Sequence, residues 1–531
     1  MAGETVDAVV VGGGHNGLVA ANLLADAGWD VVVIEATDRL GGAVRSAPLA
    51  APGFEADVCS AFYPLGYASP VLSSLDLTGY GLRWTNAPHV LAHLLPDGRA
   101  VVLDRDVDVT AASLDEFAPG DGRRWRAEYE RWREIGDALL AAVLNPFPPV
   151  RPGLDLYRRL RAAGLLRLAR RLLLPARVLG QETFAGEGGR VLLAGMALHT
   201  DLSPAESGSG VYAWLLAMLG QQYGFPVPVG GAARLVDALA ERLRARGGEV
   251  VLDTPVTRVI VGAGRALGVR GADGRHWRAR RAVLADVPAP ILFCDLVGAN
   301  HLPARFVADL ERFRWDYATV KVDWALSGPV PWRGGAARGA GTVHLRADTA
   351  GLVEFAADLN AGRVPRQPFM LAGQMTTSDP TRSPAGTEAM WAYTHLPRRQ
   401  KWPAAEVDAH VDRMERVLED AAPGFRDLIV GRYVAGPDRL EATDPSLVGG
   451  AINGGTSAPY QQLVFRPVPG LGRADTPVDR LYLASSSAHP GGGVHGAPGA
   501  NAARAALARD RALVGGLYGA GVRAAQRTLY R

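Results

Sequence analysis

Between residues 9 and 35 the chain reads Val9-Val10-Val11-Gly12-Gly13-Gly14-His15-Asn16-Gly17, then an alanine- and leucine-rich stretch, then Val31-Val32-Val33-Ile34-Glu35. An apolar β-branched run, a G-x-G-x-x-G turn, a helical stretch and a second apolar run ending in an acid spell a β-α-β unit that holds an adenine dinucleotide. The glycines serve different ends. Gly12 permits the tight turn, Gly14 lets a pyrophosphate approach the backbone, and Gly17 lets helix and strand pack closely. The free amides at the helix start, around His15 and Asn16, face the phosphates. Glu35, with Ala36 beside it, is placed to accept hydrogen bonds from the ribose hydroxyls, and a carboxylate there argues against a 2'-phosphate.

Just downstream stands Arg39-Leu40-Gly41-Gly42. Two adjacent glycines allow close backbone approach, and a guanidinium offers forked donors to a phosphate. The run resembles the second glycine motif of the flavoprotein superfamily that contains amine oxidases and phytoene desaturases, which implies FAD rather than NAD, with Arg39, Gly41 and Gly42 beside the diphosphate. Many members carry an arginine directly after the glycine pair; here that position is Ala43, and the next arginine, Arg45, receives no phosphate role.

Dinucleotide-type sequence returns twice. From Pro228-Val229-Gly230-Gly231 the chain passes through a helical pattern at 235–243 into Glu249-Val250-Val251-Leu252, a small antiparallel meander from Pro255, and a returning strand at Arg281-Ala282-Val283-Leu284-Ala285. Gly262-Ala263-Gly264 fits a hairpin turn better than a second dinucleotide site, so bound NAD(P) is not supported. The last return, Leu481-Tyr482-Leu483-Ala484-Ser485, leads into His489-Pro490-Gly491-Gly492-Gly493-Val494-His495-Gly496-Ala497-Pro498-Gly499 and an alanine-rich helix. This run resembles the C-terminal FAD motif of phytoene desaturase-like and carotenoid isomerase-like proteins. The resemblance implies that Ser485, Gly493 and Val494 lie at the flavin or its ribityl chain and that Val256 contacts the adenine through its backbone. Ser485 stands where relatives usually have glycine.

The expected fold class is therefore α/β: a discontinuous Rossmann-like FAD-binding domain, residues 1–65, 226–290 and 466–531, with an inserted α+β substrate domain, residues 66–225 and 291–465. The resemblance is weakest at 66–225 and 290–445, where the substrate is expected to bind.

A net charge of +3 over 531 residues, 21% of them charged, gives no electrostatic case for nucleic acid. No signal peptide precedes the first strand and no apolar run is long enough to span a bilayer, which makes the cytoplasm the expected compartment. Of the 57 basic residues only Lys321 and Lys401 are lysine. Clusters of arginine must be discounted accordingly. The stretch 151–177 alternates Leu and Arg at helical spacing; a basic amphipathic helix can lie on an anionic membrane, but the arginine bias favours a solvated face over a packed helix. Cys59 and Cys294 show no C-x-x-C spacing and are expected to be buried apolar thiols, and no metal-spaced cluster is visible.

The flavin carries the redox chemistry, so the protein must mainly position a C–H bond and exclude water. Lys321, in the alternating segment 317–326, resembles in its setting the amine oxidase lysine that holds a water against flavin N5, and a deprotonatable ammonium can do what guanidinium cannot. His489 and His495 flank the terminal glycine loop; His489 matches the family motif and is the second catalytic candidate. Glu55, Asp57 and Ser60 fall in a segment that approaches the flavin in relatives, and Tyr212, Trp214 and Met218 either line an apolar tunnel or pack the core. The expected activity is hydride transfer from a C–H bond of an apolar substrate to flavin N5, with oxygen or a quinone as electron acceptor. Amine oxidation, flavin-dependent isomerisation and a noncatalytic FAD scaffold remain open alternatives, as does the oligomeric state.

Overall fold

The computed structural model describes residues 4–345 and 347–531. Its first sheet gathers strands from three separate stretches of chain. The parallel strands Glu249–Val251, Val31–Ile34, Glu4–Val11, His276–Ala285 and Leu481–Leu483 lie in that order. Val9 pairs with Val32 on one side and Val283 on the other. Such β-branched runs are buried because helices cover both faces of a parallel sheet. On one face lie the helices His15–Asp26, Ala233–Ala245 and Ala497–Asp510, sharing a core with Val10, Val33 and Leu284. The first and last of these touch backbone to backbone: a Cβ on Gly499 would come within 1.9 Å of the Asn16 carbonyl oxygen, so only glycine fits there. The antiparallel pair Val256–Gly262 and Arg265–Gly271 extends the sheet, and Ala263 and Gly264, both at positive φ, close its hairpin.

The second sheet runs Ile429–Ala435, Ala318–Leu326, Glu388–Leu396, Met370–Gln374, Ala340–Leu345, His89–Leu94, Ala100–Leu103. Along Ala318–Leu326 the period-two alternation splits the side chains between two different cores. Val320, Val322 and Trp324 pack with Met414 and Leu418 of the helix Ala404–Ala421. Thr319, Lys321 and Asp323 therefore face the other way, toward the helical layer that includes Asp121–Leu144, Glu187–Leu198 and Ser209–Tyr223. Trp214 and Met218 are buried in that helical core, Trp214 edge-on to Trp132 at 5.6 Å. They pack the core, and Tyr212 is only half-buried.

One buried ion pair joins the short strand Ala56–Asp57 to the turn Pro380–Arg382, which connects two strands of the second sheet. Arg382 Nη2 lies 2.8 Å from Asp57 Oδ1, both side chains fully buried. Asp57 Oδ1 also accepts hydrogen bonds from Ser46 Oγ and the Ala232 amide, each 2.8 Å, while the Glu55 amide donates to the Arg382 carbonyl and Arg382 Nε donates to the Glu55 carbonyl. Asp57 is thus a structural pin. Removing the cation would strand a buried carboxylate, so Arg382→Met is expected to cost about 3–5 kcal/mol in urea unfolding. A change under about 1 kcal/mol would contradict that role. Cys59 is half-buried and Cys294 is exposed, which corrects the expectation of two buried thiols: Cys294 sits on the solvent side of the short helix Ile291–Val297.

Candidate functional site

The glycine turn is set by its neighbours. Gly12 has φ +92°, and a Cβ on it would meet the Asp286 carbonyl oxygen at 2.6 Å. The Gly13 amide donates to Glu35 Oε2 (2.8 Å), and the Thr37 amide and hydroxyl donate to Glu35 Oε1 (2.9 and 2.8 Å). The acid that the sequence assigns to the ribose therefore also locks the turn. The second glycine pair docks against the first: the Gly41 amide donates to the Gly13 carbonyl at 2.9 Å, and a Cβ on Gly42 would lie 3.6 Å from Gly14 Cα. Gly12, Gly14 and His15 keep partial exposure while Gly13, Asn16 and Gly17 are buried, so the first three edge a groove.

Two residues at this groove carry no distinct sequence signal. Asp286 directly follows the strand His276–Ala285, and its Oδ2 accepts from the Gly17 amide at 2.7 Å, at the helix start where an anion is favoured. Burial pushes its carboxyl up to about 7; the Gly17 bond opposes this, while Asp444 and Glu35 add to it. Arg45 is buried, donates to Thr37 Oγ1 at 2.9 Å, and has a partnerless Nε. Arg39, by contrast, pairs with Asp38 on the exterior. The guanidinium turned inward is Arg45. Ala36 is exposed at the end of Val31–Ile34, and Val256 opens its strand half-buried.

The residues present fit an FAD diphosphate. A Cβ on Gly14 would fill the cradle, 2.6 Å from Asp286 Oδ2, and the buried His15 Nε2, Asn16 Oδ1 and Arg45 Nε have no hydrogen-bond partner among the described residues. Burial holds the His15 imidazole neutral, down to about 4, against a bond to the Gly493 backbone. A diphosphate at this helix start would face Asp286, and two anions there repel. FAD affinity is therefore expected to fall as pH rises through about 7, by up to about tenfold per unit, because binding favours protonated Asp286. Fluorescence titration of the apoprotein between pH 6 and 9 measures this; Asp286→Asn should flatten the slope, and an unchanged slope would exclude Asp286.

The terminal loop is organised from inside. Arg466 is fully buried and donates to backbone carbonyls of Thr456 (2.8 Å), Asn453, Gly454 and Ser486 (Nε, 2.9 Å), tying the 453–456 turn to the loop after Leu481–Leu483. Desolvation lowers its pKa to about 10, with Tyr212 and Asp316 opposing. Ser485 uses its own hydroxyl locally, accepting from the Ser487 amide at 3.3 Å. Gly493 is exposed and Val494 half-buried, whereas His495 is buried and pushed down to about 3. His489 Nε2 donates to the Asn145 carbonyl at 2.9 Å, its Nδ1 is buried without a partner, and burial lowers its pKa.

Across from this loop lies the polar face of Ala318–Leu326. Lys321 is buried, donates to Asp323 Oδ1 at 2.5 Å, sits 5.9 Å from the Trp391 ring, and stands in register with Tyr393. It is not an exposed strand lysine. Lys321 and Asp444 both act on the Cys59 thiol, which burial pushes up to about 12, and a Cβ on Gly42 would come 3.1 Å from Asp444 Oδ2. Among the described residues Lys321 and His489 share no hydrogen bond or ion pair; they approach the site from different elements.

The same sheet face carries a pair that no sequence motif announces. His395 Nε2 lies 2.7 Å from Asp201 Oδ1, and Asn453 Nδ2 donates to Asp201 Oδ2 at 2.7 Å. Asp201 holds this position at φ +60°, a strained value for a non-glycine residue. Burial works against the charged imidazole, but Asp201 and then Asp316 outweigh it and raise its pKa. Tyr393 lies between, 5.4 Å from the His395 ring and stacked at 5.9 Å on Trp391. Lys321, Tyr393 and the His395–Asp201 pair thus form a row of groups able to hold or move a proton, reaching the terminal loop through Asn453.

Comparison with known proteins gives the family. The model of the family described as flavin containing amine oxidoreductase matches residues 17–507. The mouse pyridine nucleotide-disulfide oxidoreductase domain-containing protein 2 is 29% identical, the alignment covering 94% of this chain and 92% of that one. A neurosporene-forming phytoene desaturase of Cereibacter sphaeroides is 24% identical, over 95% and 94% of the two chains. Among solved structures, an oxidoreductase from Methanosarcina mazei superposes with a TM-score of 0.64 at 15% identity, covering 94% of this chain and 99% of that one. The cradle, the terminal loop and a family match over most of its length establish that the chain belongs to the flavin containing amine oxidoreductases, with FAD as its cofactor.

Proposed function

We propose that this protein is an FAD-dependent dehydrogenase or desaturase acting on a C–H bond of an apolar organic substrate. The observation that carries the reading is the sheet face around Lys321 and Tyr393, whose charged groups are paired with one another. Lys321 neutralises Asp323; Asp201 is engaged by His395 and Asn453; Asp316 accepts from the amides of Ile452, Asn453 and Gly455. The surroundings are apolar: Trp391, Tyr393, Phe369 and Leu371 belong to or pack on one hydrophobic cluster, with Phe62 and Leu65 against it. A face of this kind favours a substrate without charge.

When bound, FAD supplies the hydride acceptor at N5. The chain's own residues orient the substrate, keep water out and handle the proton that leaves with the second C–H bond of a desaturation. The Lys321–Asp323 pair is proposed to receive that proton, on the Asp323 carboxylate, and oxygen or a quinone is the proposed terminal acceptor. Oxidation of an amine C–N bond is the second reading, favoured by Lys321 itself. Anaerobic mixing of the holoprotein with polyenes, saturated lipids and amines separates the two. Bleaching of the flavin by polyenes or lipids alone supports the main reading, and bleaching by amines alone overturns it.

A further inference from the structure

We propose that the face formed by the first half of the helix Val150–Leu173 and the turn at 459–466 docks on an anionic lipid bilayer. The turn inverts the usual partition of residues. Gln461, Gln462 and Arg466 are buried, while Tyr460, Leu463 and Phe465 are 64%, 46% and 46% exposed. The inversion is enforced: Gln461 bonds to both backbone groups of Arg314, Arg466 binds the carbonyls described above, and Leu463 is held at φ +55°. A rigid turn thus presents apolar side chains to the outside.

The helix continues the same face. Val150, Leu154 and Tyr157 are exposed at i, i+4 and i+7, one stripe of a helix. Helix and turn meet along a seam: the Phe147 amide donates to the Gly472 carbonyl at 3.1 Å, and a Cβ on Gly472 would lie 2.9 Å from Phe147 Cβ and 3.2 Å from the Leu463 carbonyl oxygen. This seam sets the approach to the helix beside Leu463, and exposed apolar side chains on both elements mark an interaction surface.

Charge selects the occupant. Val150–Leu173 contains seven arginines and one acid, Asp155, which pairs with Arg159. Arg170 and Arg171 pair with Glu182 and Glu128 on neighbouring elements. Arg151, Arg158, Arg161 and Arg167 are exposed and have no ion pair among the described residues. Exposed apolar side chains on the same helical segment as the unpaired Arg151 and Arg158, which precede the break at Arg161, match the interface of an anionic bilayer, where the former enter the acyl boundary and the latter meet phosphate. A second copy of this chain fits less well, since a twofold contact would bring the same unpaired arginines against one another. No helix among the described residues is long and apolar enough to cross a membrane, so the contact is peripheral. It borders the cofactor loop, because the chain entering this helix is bonded by His489 at Asn145 and by Asn501 at Leu144.

The test is sedimentation of the FAD-loaded protein with vesicles of phosphatidylcholine alone or of equimolar phosphatidylcholine and phosphatidylglycerol. The protein is expected to sediment with the anionic vesicles only, and less as salt rises. Leu463→Ser with Phe465→Ser, and separately Arg151→Gln with Arg158→Gln, should each weaken partitioning by about tenfold or more while visible spectrum and melting temperature stay unchanged. Equal binding to both vesicle types, no binding to either, or unchanged partitioning of both double variants would overturn the proposal. So would a concentration-dependent dimer dissolved by the Leu463/Phe465 change, which would make the face a self-interface.

Discussion

Gly14→Asp protein is expected to purify folded and without FAD. The glycine faces the groove with partial exposure, and any Cβ there would press to 2.6 Å from Asp286 Oδ2. A second carboxylate at that point blocks the approach of the diphosphate and repels it, in a site where Asp286 is already hard to ionise. An effect of about 4 kcal/mol, roughly a thousandfold in affinity, is enough to strip the cofactor on a column. Absorbance at 450 nm relative to 280 nm reads the outcome, and far-UV circular dichroism separates loss of FAD from loss of fold. Stoichiometric FAD in the variant would remove the glycine turn from the cofactor site.

Lys321→Met is the second large effect. The variant should keep its FAD, because no cradle residue bonds to Lys321, yet oxidation of the photoreduced flavin by oxygen should slow by at least about tenfold. The substitution also leaves Asp323 as a buried unpaired acid, at a cost to stability of about 3–5 kcal/mol. Lys321→Met with Asp323→Asn removes both charges and restores much of that loss. Slow reoxidation that persists in the double variant belongs to the lysine rather than to damage around Asp323. Rates equal to the parent in both variants would take Lys321 out of the chemistry.

The glycine turns are legible in the sequence because contiguous residues build them: Gly12, Gly14, Gly17 and Glu35 carry their geometry in their spacing, and the loop 489–499 carries a full run of motif. The rest is assembled by pairing of distant strands. Nothing near Asp201 in the chain announces His395, and only the second sheet and the 453–456 turn bring them together. Asp286 follows a strand that the apolar run at 282–285 makes plain, but its role depends on where that strand lies beside Gly12. Which arginine serves the cradle is also a tertiary matter: Asp38 holds Arg39 outside, while Thr37 receives Arg45 inside. In Tyr212, Trp214 and Met218 the periodicity of a helix is visible, but periodicity cannot tell a core from a tunnel wall. Lys321 stands out through composition, as one of two lysines, and its burial against Asp323 and Trp391 could not be read from that.

The proposed function requires that the chain bind FAD and use it to oxidise a substrate. Its most direct test is the visible spectrum of the purified protein, with chromatographic identification of the released cofactor, followed by anaerobic titration with the polyene, lipid and amine panel. The expected result is a flavin spectrum, FAD as the released cofactor, and bleaching by an apolar substrate with return of colour on admitting oxygen or a quinone. A protein that binds no FAD under any reconstitution condition, or FAD that no member of any class reduces, would contradict it.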